Sequence, residues 1–136
     1  MHRFFQIFLS FLLLSAGFEV SAQEVKDPSY HTVAHIKSDG TIQDSSYHTI
    51  GHIKSDGTVQ NSSYHVVGHI KQDGTVQDAS YHVLGHIKDN GTVQDSSYHI
   101  LGYVKSDGTI QDASYHVIGH AKGVPMRWAA YFFFFN

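Results

Sequence analysis

The chain has 136 residues, with 12 Asp and Glu against 9 Lys and Arg, 12 histidines and no cysteine. A formal charge of -3 with scattered basic residues leaves no patch to neutralise a run of phosphates, which excludes nucleic acid as a partner, and the lack of cysteine excludes disulfides and thiol chemistry. An aromatic content of 13% and 12 glycines argue for a folded chain rather than a disordered one.

Residues 1–22 read as a signal peptide. Met1-His2-Arg3 is a short positive start, Phe4 to Ala16 is nearly all apolar, and Val20-Ser21-Ala22 supplies small residues for cleavage after Ala22. The alternative, a retained anchor, needs about 20 apolar residues to cross a bilayer, more than this run offers. With no cysteine to carry a lipid, the expected product is secreted or periplasmic.

Residues 23–122 form a repeat. Tyr30, Tyr47, Tyr64, Tyr81, Tyr98 and Tyr115 recur every 17 residues, and the unit from Tyr47 reads Y-H-T-I-G-H-I-K-S-D-G-T-V-Q-N-S-S. Alternating apolar positions followed by Asp-Gly or Asn-Gly are a hairpin signal. A three-residue loop Ser38-Asp39-Gly40 sets Ile36 opposite Ile42, whereas a two-residue Asp39-Gly40 turn mixes apolar with polar residues, so the first register is favoured. One face then carries Tyr30, Thr32, Ala34, Ile36, Ile42 and Asp44, the expected interior, and the other carries His31, Val33, His35, Lys37, Thr41 and Gln43.

Glu24 to Ser29 matches the second half of a unit and Tyr115 to Lys122 the first half. Together they make one hairpin split between the ends of the array, so six hairpins close twelve antiparallel strands into a barrel without edges. A parallel β-solenoid is the alternative, and Asp-Gly hairpin turns suit it poorly. A twelve-stranded barrel is roughly 24 Å across, too wide for Val, Ile and Gly51, Gly68, Gly85, Gly102 and Gly119 to fill. Residues 123–136 supply a filling: Pro125 can open a helix, and Trp128, Tyr131, Phe132, Phe133, Phe134 and Phe135 make it apolar all round. About twelve helical residues, ~18 Å long, suit the height of such a barrel as a central plug. Exposed, the same aromatics would contact lipid.

The repeated G-H-I-K-S-D-G-T-V-Q-D phrase, the split hairpin and the aromatic tail resemble the β-flower repeat proteins found in bacteria. The resemblance covers about Glu24 to Asn136. It implies a shallow barrel similar to the tubby C-terminal domain, in which strands surround an apolar helix and which binds phosphoinositide membranes.

The histidines form two series. His31, His48, His65, His82, His99 and His116 follow the tyrosines, while His35, His52, His69, His86 and His120 lie four residues further on, with Tyr103 interrupting. On a strand, residues four apart share a face at ~13 Å, and equivalents in neighbouring hairpins lie ~9.6 Å apart, so no metal site is expected. They read as polar surface or as a pH-responsive ligand face, because protonation near pH 6.5 would turn the net charge positive and favour acidic surfaces. No catalytic residues and no cofactor are expected, since every Ser, His and Asp group is copied around the repeat and a reaction site needs differently tuned neighbours. Asp44, Asp78, Asp95 and Asp112, with Asn61 as the exception, read as loop residues bonding local backbone. The tyrosines read as a ring packed at one barrel end. The chain is thus expected to be a non-enzymatic binding or structural module of the cell envelope with an unknown ligand, or alternatively a protein that associates with membrane lipid. Near-identical repeats permit subunit swapping, which leaves the oligomeric state open.

Overall fold

The hairpin turns set the architecture. In a computed structural model describing residues 22–136, the Gly40 N–H donates to the Lys37 carbonyl at 2.9 Å and Gly40 has a φ of 90°. Ser38-Asp39-Gly40 is therefore a three-residue loop with glycine in the left-handed position, where a Cβ would collide with the Ile53 carbonyl oxygen. Asp39 Oδ1 accepts the Thr41 N–H at 3.0 Å and stiffens the turn. Ile36 pairs with Ile42 and His35 with Gln43, the register expected from the three-residue loop. The signal segment lies outside the described residues apart from Ala22, the first residue of β1.

Twelve strands follow: β1 Ala22–Lys26, β2 Thr32–Lys37, β3 Thr41–Asp44, β4 Thr49–Ile53, β5 Thr58–Asn61, β6 Val66–Ile70, β7 Thr75–Asp78, β8 Val83–Ile87, β9 Thr92–Asp95, β10 Ile100–Val104, β11 Thr109–Asp112 and β12 Val117–His120. Each pairs antiparallel with its neighbours in sequence, and β1 pairs with both β2 and β12, so the sheet is a closed barrel. The seam is short, with Lys26 opposite His120 as its registered pair.

The loops at the opposite end reuse the same geometry with a different residue. The Tyr47 N–H donates to the Asp44 carbonyl and the Asp44 N–H to the His48 carbonyl, enclosing Ser45-Ser46-Tyr47. Tyr47 takes the position that glycine holds at the other end, with a φ of 71°, and all six repeat tyrosines lie between 69° and 72°. This left-handed backbone throws each ring onto the outer wall. The tyrosines are 63–65% exposed there, so they do not form the packed ring expected at a barrel end.

A β-bulge in each unit corrects the faces near these loops. Ile42 pairs with Gly51 but Gln43 pairs with Thr49, so Ile50 is the extra residue. Thr49 consequently shares the outer face of Gln43, and the same shift at Val25/Lys26 puts Thr32 outside rather than inside. Val33, Ile50, Val67, Leu84, Leu101 and Ile118 become the inward rim of the tyrosine-loop end, and Leu101 and Ile118 pack on the core. Deeper in the barrel the expected interior holds: Ala34, Ile36, Ile53, Val76, Ile87, Val93 and Ile110 are at most 1% exposed.

The lumen is filled by helix α1, Met126–Phe134, preceded by Pro125, whose carbonyl accepts the Trp128 and Ala129 N–H groups. Its nine residues span ~13.5 Å, shorter than the twelve-residue helix expected, because Gly123 (φ 83°) and Val124 are used in turning the chain inward. Ala129, Ala130 and Tyr131 are buried. Beyond them the rings meet the glycine level of the wall, where a Cβ would lie 2.5 Å from the Tyr131 hydroxyl at Gly68, 2.8 Å from Phe135 at Gly85, 2.6 Å from Phe134 at Gly102 and 2.5 Å from Phe133 at Gly119. The glycines leave room both for these rings and for the carbonyl oxygen of the neighbouring strand, which at Gly85 and Gly102 would lie closer still to a Cβ.

Candidate functional site

Most of the repeated polar groups serve the outer wall. Five of the six repeat tyrosines stack on a ring twelve residues earlier, among them Tyr47 on His35 at 4.2 Å between centroids, Tyr64 on His52 at 4.6 Å, Tyr81 on His69 at 4.5 Å and Tyr98 on His86 at 4.4 Å. Tyr30 stacks on His120 at 4.1 Å and so bridges the β1–β12 seam. Where Tyr103 replaces histidine, it stacks on Tyr115 and donates its phenol proton to the Tyr115 oxygen at 3.3 Å, which raises the Tyr103 pKa. Such pairs contribute roughly 0.5–1.5 kcal/mol each. Beneath them His35 Nδ1, His52 Nε2 and His69 Nε2 are shut from solvent with no hydrogen-bond partner among the described residues.

The second histidine series lies on the tyrosine loops. Asp44 Oδ1 accepts the N–H groups of Ser46 and His48, both at 2.9 Å, and Oδ2 sits 3.3 Å from His48 Nδ1. Asp78, Asp95 and Asp112 repeat this arrangement with His82, His99 and His116, and Asp27 does so with His31. Donation by the histidine N–H holds each of these carboxyls below the usual aspartate pKa. The imidazoles are 79–80% exposed, so their contacts with the carboxylates add little to stability. Asn61 is the exception: its Oδ1 accepts from Ser63 and His65, and the carboxylate charge is absent.

Neither series converges on a metal-binding cluster among the described residues. What the fold does gather is the rim at the tyrosine-loop end. Val33, Ile50, Val67 and Leu84 are 37–43% exposed around the partly buried Phe132 to Phe135. On the outer side of this rim Val66, Val83, Ile100 and Val117 are exposed too. The result is an apolar mouth bordered by acidic loops. Within it, a 290 Å³ pocket opens beside Gly51.

The hairpin-turn end is polar by contrast. Arg127 donates to the Lys71 and Gln72 carbonyls at 3.0 and 2.8 Å and pairs with Asp89 at 3.3 Å, anchoring the start of the helix. Trp128 lies beside it in a 530 Å³ cleft with Lys54, Asp56 and Lys71. The plug residues are therefore divided: Trp128 faces the hairpin turns, Tyr131 is buried, and Phe132 to Phe135 approach the mouth.

The tyrosine stacks and the bulged rim are not evident from residue periodicity. Their signal is the parallel between Lys-Ser-Asp-Gly-Thr and Asp-Ser-Ser-Tyr-His, two five-residue frames with the same loop length. No curated protein and no solved structure matches the chain. The family described as "5-fold beta-flower protein" matches residues 19–136, a span that takes in every strand and the helix. With its five unbroken hairpins, its split sixth and its aromatic core helix, the chain belongs to the 5-fold beta-flower protein family.

Proposed function

We propose that this protein is an exported, non-enzymatic binding module of the cell envelope that acts through the apolar mouth of its barrel. The observation that carries the reading is the contrast between wall and mouth. The repeated Asp, His and Tyr groups are used in loop closure and ring stacking, whereas the mouth combines exposed aliphatic rim residues with the one aromatic segment among the described residues that does not repeat. Contiguous exposed apolar surface at a concave site is the usual mark of binding. The Met1-His2-Arg3 start and Val20-Ser21-Ala22 support export.

The test is thermal unfolding of the purified protein with uncharged aromatic and alkyl alcohols, because a ligand of the folded state alone raises Tm by mass action. A saturable rise that is lost in the rim variant Val67→Lys/Leu84→Lys supports mouth binding. No rise with any of them, in a folded protein, overturns it. Sequencing the amino terminus of protein from the envelope fraction checks export, with Gln23 expected first.

A second reading is association with membrane lipid, favoured by the apolar residues on both sides of the rim. Among the described residues no helix is long and apolar enough to cross a membrane, so contact would be interfacial. The exposed His48, His82, His99 and His116 stand beside aspartates on these loops, so the assay is run at two pH values. Flotation with anionic vesicles at pH 5 but not pH 7, abolished by the same rim variant, would establish this reading. No flotation at either pH would remove it.

A further inference from the structure

The barrel wall repeats six times, but the helix inside it does not. Ala34 carries its own methyl group, and four of the five ring glycines are covered by Tyr131, Phe133, Phe134 or Phe135. Gly51 is the remaining one: within 4 Å of its Cβ position lies only the Gln60 carbonyl oxygen. The 290 Å³ pocket occupies this sector, between Gly51, Ile50 and Val67 of the wall and Tyr131, Phe132 and Phe135 of the helix segment.

The same sector breaks the charge pattern. Asn61 lies directly opposite Gly51 in the strand pairing and lines the pocket. Asp78 lies opposite Gly68, Asp95 opposite Gly85 and Asp112 opposite Gly102, each a carboxylate held ionised by backbone N–H groups. Asn61 keeps the loop bonds through Oδ1 and turns its Nδ2 amide group into a donor where the other loops have a second carboxylate oxygen. One sector of the mouth, which Asn136 also lines, is thus uncovered and has a neutral loop residue, while its neighbours are covered and have acidic ones.

We infer that the Gly51–Asn61 pocket binds an uncharged small molecule with an apolar body and a hydrogen-bonding head group. The apolar walls take the body, and the Asn61 amide at the rim takes the head. Asp44 and Asp78 on the flanking strands disfavour anions. This deepens the reading of the mouth as a binding surface and rests on it.

The experiment is an NMR titration of the methyl-labelled protein with benzyl alcohol, and separately with benzoate as its anionic counterpart. Saturable shifts are expected at Ile50, Val59 and Val67, with benzoate at least tenfold weaker. Asn61→Asp restores the residue that the other loops use, so it should fold, and it should weaken benzyl alcohol about tenfold by removing a donor and adding a charge. Val67→Phe should fill the pocket and abolish the shifts, whereas Ile118→Phe on β12, across the barrel from the pocket, should leave them unchanged. Shifts at the rim that ignore Asn61→Asp and Val67→Phe but vanish in Val67→Lys/Leu84→Lys would overturn the pocket and leave mouth binding standing. Absence of saturable shifts with either probe would overturn the pocket outright, and the alcohol panel then decides the broader reading separately.

Discussion

Tyr64 offers a way to separate the two energies that the tyrosine loops balance. Its φ of 69° is a left-handed conformation, and its ring lies 4.6 Å from His52 with the planes 12° apart. It is 65% exposed, so folding covers roughly a third of its surface, about 70 Å², worth up to ~2 kcal/mol at ~25 cal/mol per Å². Tyr64→Ala removes the stack and most of this contact while keeping a Cβ in the left-handed region, and should cost about 2 kcal/mol. Tyr64→Gly loses the same contacts but relieves ~1–2 kcal/mol of left-handed strain, less ~0.4–1 kcal/mol for the greater freedom of unfolded glycine. Glycine should therefore exceed alanine by about 0.5–1 kcal/mol, the reverse of their order in a regular strand or helix. In the opposite loop Gly57→Ala should cost about 3 kcal/mol, because its Cβ would collide with the Ile70 carbonyl oxygen. Urea unfolding followed by circular dichroism measures all three against the parent, provided the slopes agree. An alanine variant as stable as the glycine variant would refute the claim that loop geometry, with tyrosine in glycine's place, shapes this end of the barrel.

Other outcomes follow from the same contacts. Because Asp27, Asp44, Asp78, Asp95 and Asp112 have depressed pKa values when folded, their contribution is present above the unfolded value near ~3.9 and is lost as pH falls through the folded values. The urea midpoint should fall steeply below about pH 4, and the triple variant Asp44→Asn, Asp78→Asn, Asp95→Asn, copying the natural Asn61 loop, should flatten that limb. An unchanged limb would place the acid sensitivity elsewhere. Gly68→Ala sets a methyl 2.5 Å from the Tyr131 hydroxyl, so Tyr131→Phe should recover part of the loss in a double-mutant cycle, with a coupling of about 1 kcal/mol. Strict additivity would mean that the two residues do not meet. Arg127→Met should cost about 2 kcal/mol by freeing the Lys71 and Gln72 carbonyls, and acrylamide should then quench Trp128 more readily.

The twelve-stranded barrel is legible because the 17-residue period, the length of the Ser-Asp-Gly loop and the complementary half-units at its ends all require the same closure. The apolar helix is legible because no other segment fills so wide a lumen. Three features escape for physical reasons. Tyrosine at positive φ runs against local preference, and it is held by the loop hydrogen bonds together with stacking on a ring of the neighbouring repeat, a tertiary contact invisible to propensity. The bulge at Val33, repeated at Ile50, exchanges the faces of the residues on its loop side, so strict alternation misplaces Thr32 and Val33. A single helix cannot match a sixfold wall, and which glycine it leaves uncovered depends on its rotation. Asn61 stands out in the sequence as an exception, but its meaning appears only once Gly51 is seen opposite it.

The most direct test of the whole account is a set of nuclear Overhauser contacts in the purified protein between helix rings and glycine Hα protons. The account predicts contacts of Tyr131 with Gly68, Phe135 with Gly85, Phe134 with Gly102 and Phe133 with Gly119, and markedly weaker ones at Gly51. Rings with random-coil shifts and no glycine contacts would contradict the plugged barrel, and contacts at Gly51 as strong as the other four would contradict the open sector on which the proposed ligand pocket depends.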